Sequence, residues 1–227
     1  MSTQLLKTVL EIENPEPPDV SHLITEDDAP VDNLFSEKQQ RLLTRPLYIT
    51  WMKPGAEHKF VVAANAGIYY SLHKPAIVPD VFLSLDVEMP ENWWETAGRS
   101  YLVWEMGKPP DVAIEVVSNR KGGEKSNKLR DYANARIGYY VVFDPNSQIQ
   151  DNALTIYRLI GNQYLETDQD WMEEIQLGLK LWTGEFEGRR ATWLRWCDKD
   201  GQVLLTGQEK AERLAAQLRA AGIEPEV

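Results

Sequence analysis

Residues 111–118 read DVAIEVVS, a run of small and branched apolar side chains interrupted by one acid, Glu115. Side chains alternate across a strand, so Val112, Ile114 and Val116 share one face while Ala113, Glu115 and Val117 share the other. A carboxylate among Ala and Val is costly to bury as an anion unless it is paired, hydrogen-bonded or bound to a metal. Taken alone, Glu115 needs no more than a salt bridge to the helix that follows, or incomplete cover on its face. A second acid widens the choice. Asp80 follows Pro79 at the head of another strand-like run, PDVFLSLDV, and neighbouring strands lie roughly 5 Å apart. If those two strands are adjacent, Asp80 and Glu115 converge on one divalent cation. Asp111, four residues away on the same strand, would sit about 13 Å from Glu115 and reads instead as a strand-start residue after Pro109 and Pro110.

The third group comes from the stretch EKSNKLRDYANARI, residues 124–137, which reads as a helix. Leu129, Tyr132 and Ala133 form its apolar stripe, continued by Ile137. Lys128 lies beside that stripe, one turn before Tyr132, and can lean toward the sheet while Arg130 and Asp131 stay in water. A lysine ammonium near a metal-bound water orients it or stabilises charge developing on a phosphoryl group. The competing assignment is an i,i+4 pair with Glu124. Between positions 120 and 136 lie Arg120, Lys121, Lys125, Lys128, Arg130 and Arg136, against only Glu124 and Asp131. That local excess could meet a phosphate backbone; a solvated helix face is the simpler alternative.

The elements that must hold these groups are also legible. Residues 1–33 are rich in Pro, Asp and Glu and read as a partly extended arm. NLFSEKQQRLLTRPL gives a short helix, with Ser36 as cap, Gln39 completing a capping box and Pro46 ending it. KFVVAANAGIYYSL and IVPDVFLSLDV read as strands, although KFVVAANA fits a helix equally well. RSYLVWEM supplies at least one short strand and YYVVFDP a strong one. LTIYRLIGNQYLET reads as a hairpin turning at Gly161 and Asn162. LKLWTGEFEG and TWLRWCDKDGQVL add further β pieces. The chain closes on an amphipathic helix, GQEKAERLAAQLRAAGI, with Leu214 and Leu218 at helical spacing, stopped by Gly222. Strands alternating with a central helix, then antiparallel β structure, point to an α/β class.

The 227 residues, 43% of them hydrophobic, suffice for one sizeable core. No apolar run approaches the roughly 20 residues of a membrane span, and the N-terminus does not read as a secretory signal. Cys197 stands alone, which excludes an internal disulfide framework and fits a reducing, cytoplasmic setting. The formal charge of −11, from 24 basic and 35 acidic residues, argues against nucleic-acid binding unless cations are concentrated locally. His22, His58 and His73 are scattered without metal-ligand or triad spacing. Gly122 and Gly123 precede a helix but no Gly-Lys-Ser/Thr follows, so they make a loop and not a phosphate-binding P-loop. The tryptophans read as core or oligomer contacts more readily than as base-stacking platforms.

PDVFLSLDV followed by PPDVAIEVVSNRKGGEKSNKLRDYANARIGYYVVFDP resembles the Uma-type restriction endonuclease family, a bacterial branch of the PD-(D/E)XK nuclease superfamily. The matching features occur in order: Pro79-Asp80, then Glu115-Val116-Val117-Ser118, then Lys128 to Tyr132-Ala133, then Asp144-Pro145. The resemblance implies a restriction-endonuclease-like mixed central sheet flanked by helices, with an extra β-hairpin and a C-terminal helix. It divides the chain into an arm (1–33), a nuclease-like domain including the hairpin (34–195) and a C-terminal extension (196–227). It further implies Mg²⁺, or Mn²⁺, held by Asp80, Glu115 and the carbonyl of Val116, with water attacking the phosphorus of DNA. The superfamily's usual lysine two residues after the glutamate is replaced by Val117. Migration of that lysine to the following helix is typical of the family, which makes Lys128 its counterpart ahead of Lys125 and Lys121. Tyr139 stands where many relatives carry Glu. A homodimer through the C-terminal helix and a catalytically degenerate module that binds nucleic acid or protein are further expectations.

Overall fold

Four helices and eleven strands form within the described residues, which in this computed structural model are 19–21, 33–51, 59–92, 94–95, 98–117 and 125–225. In chain order these are α1 (Leu34–Thr50), β1 (Phe60–Ala64), β2 (Ile68–Tyr69), β3 (Val81–Leu85), β4 (Tyr101–Leu102) and the single turn α2 (Val103–Met106). Then come β5 (Val112–Val116), α3 (Lys125–Asn134), β6 (Tyr139–Phe143), β7 (Leu154–Ile160), β8 (Gln163–Thr167) and β9 (Trp171–Met172). The long strands β10 (Leu177–Phe186) and β11 (Arg189–Cys197) and the helix α4 (Gly207–Ala220) complete the chain.

The central sheet has six strands in the order β1-β3-β5-β6-β7-β8. Only β5 and β6 within it run parallel; every other pair is antiparallel. A parallel pair cannot be closed by a tight turn, and α3 provides the crossover between β5 and β6. β9, β10 and β11 form a second sheet, and β2 with β4 a short parallel ribbon. β11 runs through position 196, where the C-terminal extension was expected to begin.

Period-two alternation divides the central sheet into two faces. Val81, Leu83, Val112, Ile114, Val141 and Phe143 share a core with α1 residues Leu43 and Leu47 and with Leu177, Leu194 and Trp196 of the second sheet. Phe82, Ala113, Tyr140 and Val142 share the other core with Tyr132, Ala135 and Ile137 from α3 and its C-terminal turn. The acids of interest sit in step with the second set.

Several local expectations are corrected. The cap of α1 is Asn33, whose side chain accepts from the backbone N–H groups of Phe35 and Ser36; Ser36 itself is buried inside the helix. An Asn at this position satisfies two orphan amides at once. Pro46 does not end α1, which continues to Thr50. Proline removes one i→i−4 bond, but Leu43, Leu47 and Trp51, all in the core, hold the helix on either side of it. Gln39 does not complete a capping box: it is buried and bonds both ways to the backbone of Leu194, at 2.7 and 3.0 Å. In RSYLVWEM only Tyr101 and Leu102 are extended, and Val103 to Met106 make a helical turn. KFVVAANA, by contrast, is a strand as read, β1 over Phe60–Ala64. The expected arm lies almost wholly outside the described residues.

Candidate functional site

β3 and β5 are neighbours, antiparallel, with Val81 opposite Ile114. Asp80, one residue before Val81, therefore reaches the end of β5 where Glu115 and Val116 lie. Its Oδ2 accepts the backbone N–H of Val116 at 2.6 Å, and its Oδ1 accepts Nε2 of Gln40 from α1 at 3.2 Å. Gln40 also exchanges two amide bonds with Asn65, both at 3.2 Å. Asn65 occupies the left-handed region at φ 51°, a conformation that Asn tolerates better than most residues, and its N–H donates to the Asp80 carbonyl. Asp80 is thus held by β5 on one side and by an amide pair on the other. Val116 turns its N–H toward Asp80, and in extended backbone the carbonyl of the same residue points to that side as well.

Glu115 is buried, as the alternation in DVAIEVVS requires. The Tyr132 hydroxyl donates to its Oε1 at 2.6 Å, and Lys128 Nζ donates to its Oε2 at 3.1 Å. The Glu115 side chain is only 10% exposed whereas Lys128 keeps 41% of its surface, so the acid is fixed and the amine still reaches solvent. Burial, and then the negative charge of Glu115, push the Tyr132 phenol well above the usual tyrosine range. It therefore stays a donor.

α3 is held over this acid by aromatic packing. Tyr132 stacks on Tyr140 of β6 with centroids 4.8 Å apart, and Tyr140 approaches Tyr157 and Tyr164 at 6.0 and 5.8 Å. The Tyr164 hydroxyl donates to the Ile137 carbonyl, fixing the segment after α3. Arg136, left-handed at φ 63°, breaks the helix and donates to the Gly161 carbonyl in the β7–β8 turn at 2.6 Å.

The structure brings Asp80, Glu115, Val116 and Lys128 together. Val117 packs against the same core as Ala113, on the Glu115 side of the sheet. Its place beside the acid is apolar, and the ammonium arrives from α3 instead. Tyr139 belongs to the opposite core, across the sheet from Glu115, and donates to Glu174, which also pairs with Arg158. Asp111 is structural, accepting the Leu85 N–H at 2.7 Å and pairing with Lys108. Asp144 is fully buried and receives the amides of Gln148, Ile149 and Gln150, which shapes the loop after β6. Of the basic cluster, Arg130 lies on the exposed flank of α3 with Asn127. Arg120, Lys121, Glu124 and the side chain of Lys125 lie outside the described residues, as do His22 and His58. Gln40 carried no signal in sequence, because an amide in a helix that also carries Leu42 and Leu43 looks like a surface residue. Tyr132 was read as apolar stripe; its hydroxyl could have been flagged by the i,i+4 spacing from Lys128.

Among the described residues no three His, Cys, Asp or Glu side chains gather closely enough to hold a metal ion. The candidate ligand set is accordingly two carboxylates and a backbone carbonyl. Those are hard oxygen donors, and Mg²⁺ sites commonly use one or two carboxylates and keep water for the rest. The residues fit such an ion. No helix among the described residues is long and apolar enough to cross a membrane. No curated protein matches the chain. A family model does: residues 25–186 match Uma2, described as "putative restriction endonuclease".

Proposed function

Because the chain belongs to the Uma2 family, we propose that it is an endonuclease hydrolysing DNA phosphodiester bonds with Mg²⁺ or Mn²⁺. The observation that carries this reading is the Lys128–Glu115 contact, at 3.1 Å, on an acid buried beside Asp80. A helix-borne ammonium thus reaches the acid whose strand neighbour, Val117, cannot supply one. Asp80, Glu115 and the Val116 carbonyl would hold the cation. Bound there, it supplies Lewis-acid stabilisation of phosphoryl charge and makes water more acidic.

The chain's own groups do the rest. The Val116 N–H and Gln40 hold Asp80, so this carboxylate need not reorganise when it binds. Lys128, half-exposed on a flexible stem, shifts from Glu115 toward a phosphate oxygen as negative charge grows there. Glu115 then remains as the buried counter-charge that keeps the ammonium nearby. Water adds to phosphorus through its oxygen and gives one proton to solvent, while the bond to the leaving sugar oxygen breaks and that oxygen takes up a proton from solvent. A DNA substrate and a lone buried cysteine fit a cytoplasmic location.

A second reading has its own support. A formal charge of −11 and an apolar Val117 favour a nuclease fold kept for binding nucleic acid or protein without cleavage. Calorimetric titration of Mg²⁺ and Mn²⁺ into the wild type and Asp80→Ala, followed by incubation with plasmid DNA, separates the two. Metal binding lost in the variant, with nicking by the wild type, supports the endonuclease. Metal binding without nicking leaves an intact site and points to another substrate or a missing partner. No metal binding in the wild type sinks the enzyme reading in favour of the binding module.

A further inference from the structure

We propose that Tyr132 is a positioning residue that sets the orientation of Glu115 as a metal ligand; the proposal rests on the nuclease reading above. Among the described residues two donors meet this carboxylate, one per oxygen, and they differ in kind. Lys128 is 41% exposed, on a flexible four-carbon stem with a rotatable ammonium. It can leave Glu115 for a substrate without exposing a buried surface. Tyr132 cannot: it is buried at 2% exposure, its ring lies nearly parallel to that of Tyr140 (25° between planes), and its hydroxyl has one direction to point. The bond to Oε1, 2.6 Å between buried groups, is the shorter of the two.

When Lys128 moves, Tyr132 is the donor that stays. An ionised carboxylate has about four lone-pair sites, so a phenol on Oε1 fixes the group's rotation without using up its capacity for a cation. Donors of this sort orient ligands in metal sites, and losing one typically costs roughly 10- to 100-fold in metal affinity. A merely structural tyrosine would behave differently. Its loss would lower stability and leave the metal constant alone.

The test is Mn²⁺ titration by calorimetry on the full chain, for wild type, Tyr132→Phe and Tyr164→Phe, with thermal melts of each without metal. Tyr132→Phe keeps the ring stack and removes only the oxygen; Mn²⁺ affinity is expected to fall about 10-fold or more. Tyr164→Phe removes a hydroxyl that bonds a backbone carbonyl and is expected to leave Mn²⁺ affinity unchanged. A Tyr132→Phe constant within about twofold of wild type overturns the proposal while leaving the nuclease reading intact, as does an equal loss in Tyr164→Phe. A wild type that binds no Mn²⁺ overturns both. Should Tyr132→Phe fail to fold, the wild type alone decides: Mn²⁺ at Glu115 must perturb the near-ultraviolet tyrosine band, and binding without perturbation overturns the assignment.

Discussion

Among the described residues two ion pairs join a helix directly to a strand, and they are built in opposite ways. In the first, Arg195 of β11 is buried, its side chain 2% exposed, and it grips Glu209 of α4 through both carboxylate oxygens at 2.8 and 2.6 Å. The guanidinium also donates to the Leu204 carbonyl and lies 4.6 Å from the Trp182 ring. In the second, the buried partner is the acid, Glu115, and the cation is a half-exposed lysine whose ammonium meets one of its oxygens. A planar fork engaged on several sides locks a helix. A single ammonium over a buried acid leaves that acid free to exchange partners. Burial of the charge is common to both, so burial alone does not mark function. What differs is which member of the pair can let go.

The largest effect expected from breaking this contrast is on the locked pair. Arg195→Ala leaves α4 without its anchor and Glu209 without its cation, at a cost of about 3–5 kcal/mol. Urea unfolding measures it, and the fraction still folded should bind Mn²⁺ like the wild type. Lys128→Ala should do the reverse. Plasmid cleavage falls by roughly 10²- to 10³-fold, the scale for losing one donor to developing transition-state charge. The melting temperature falls less than in Arg195→Ala, because Tyr132 still donates to Glu115 and the half-exposed lysine position admits water. Equal losses of stability in the two variants would erase the distinction between lock and site.

Glu115→Ala sharpens the comparison. Acids gathered for a metal cost stability, so removing one leaves the apo protein as stable or more stable while Mn²⁺ binding disappears. Marked destabilisation in the melt would return Glu115 to a salt-bridge role. The smallest effect is on pH dependence. Burial pushes the Glu209 carboxyl up, but Arg195 and the Thr206 N–H outweigh it and leave it below its ordinary 4.5. A depressed carboxylate contributes stability that is present above its unfolded pKa and lost as pH falls through the folded one. Melting temperature should therefore drop on acidification below about pH 4.5, and less steeply in Glu209→Gln.

How much of this was open to reading depends on the range of each interaction. Period two in DVAIEVVS placed Glu115 with Ala113 and opposite Ile114, because alternation is a property of the strand itself. The lean of Lys128 toward the sheet followed from its place beside Leu129 and Tyr132 on one helix. The cap at Asn33 was missed in favour of Ser36, since both residues can cap and only the helix's packing decides between them. Pro46 was read as a terminator because its local cost is real; the core around Leu43 and Leu47 outweighs it. Gln40 was invisible, for its role depends on α1 crossing the start of β3, which no local pattern encodes. Tyr132 was half-seen, as a ring and not as a hydroxyl.

The crossover of β5, α3 and β6 has a consequence for how the protein reaches its folded state. Glu115 lies 13 residues from Lys128 and 17 from Tyr132. Asp80 lies 36 from Val116 and 40 from Gln40, and α1 is tied to β11 across 155 residues. Short loops close first, because the entropy of closure grows with length. The acid with its lysine and phenol can therefore assemble within one strand-helix-strand unit, while Asp80 must wait for more distant pairings. The half of the site that carries Lys128 is accordingly expected to form first, and the clamp on Asp80 only as the rest of the chain closes around it. Substitutions at Tyr132 and Gln40 would report that order through their separate effects on the refolding rate.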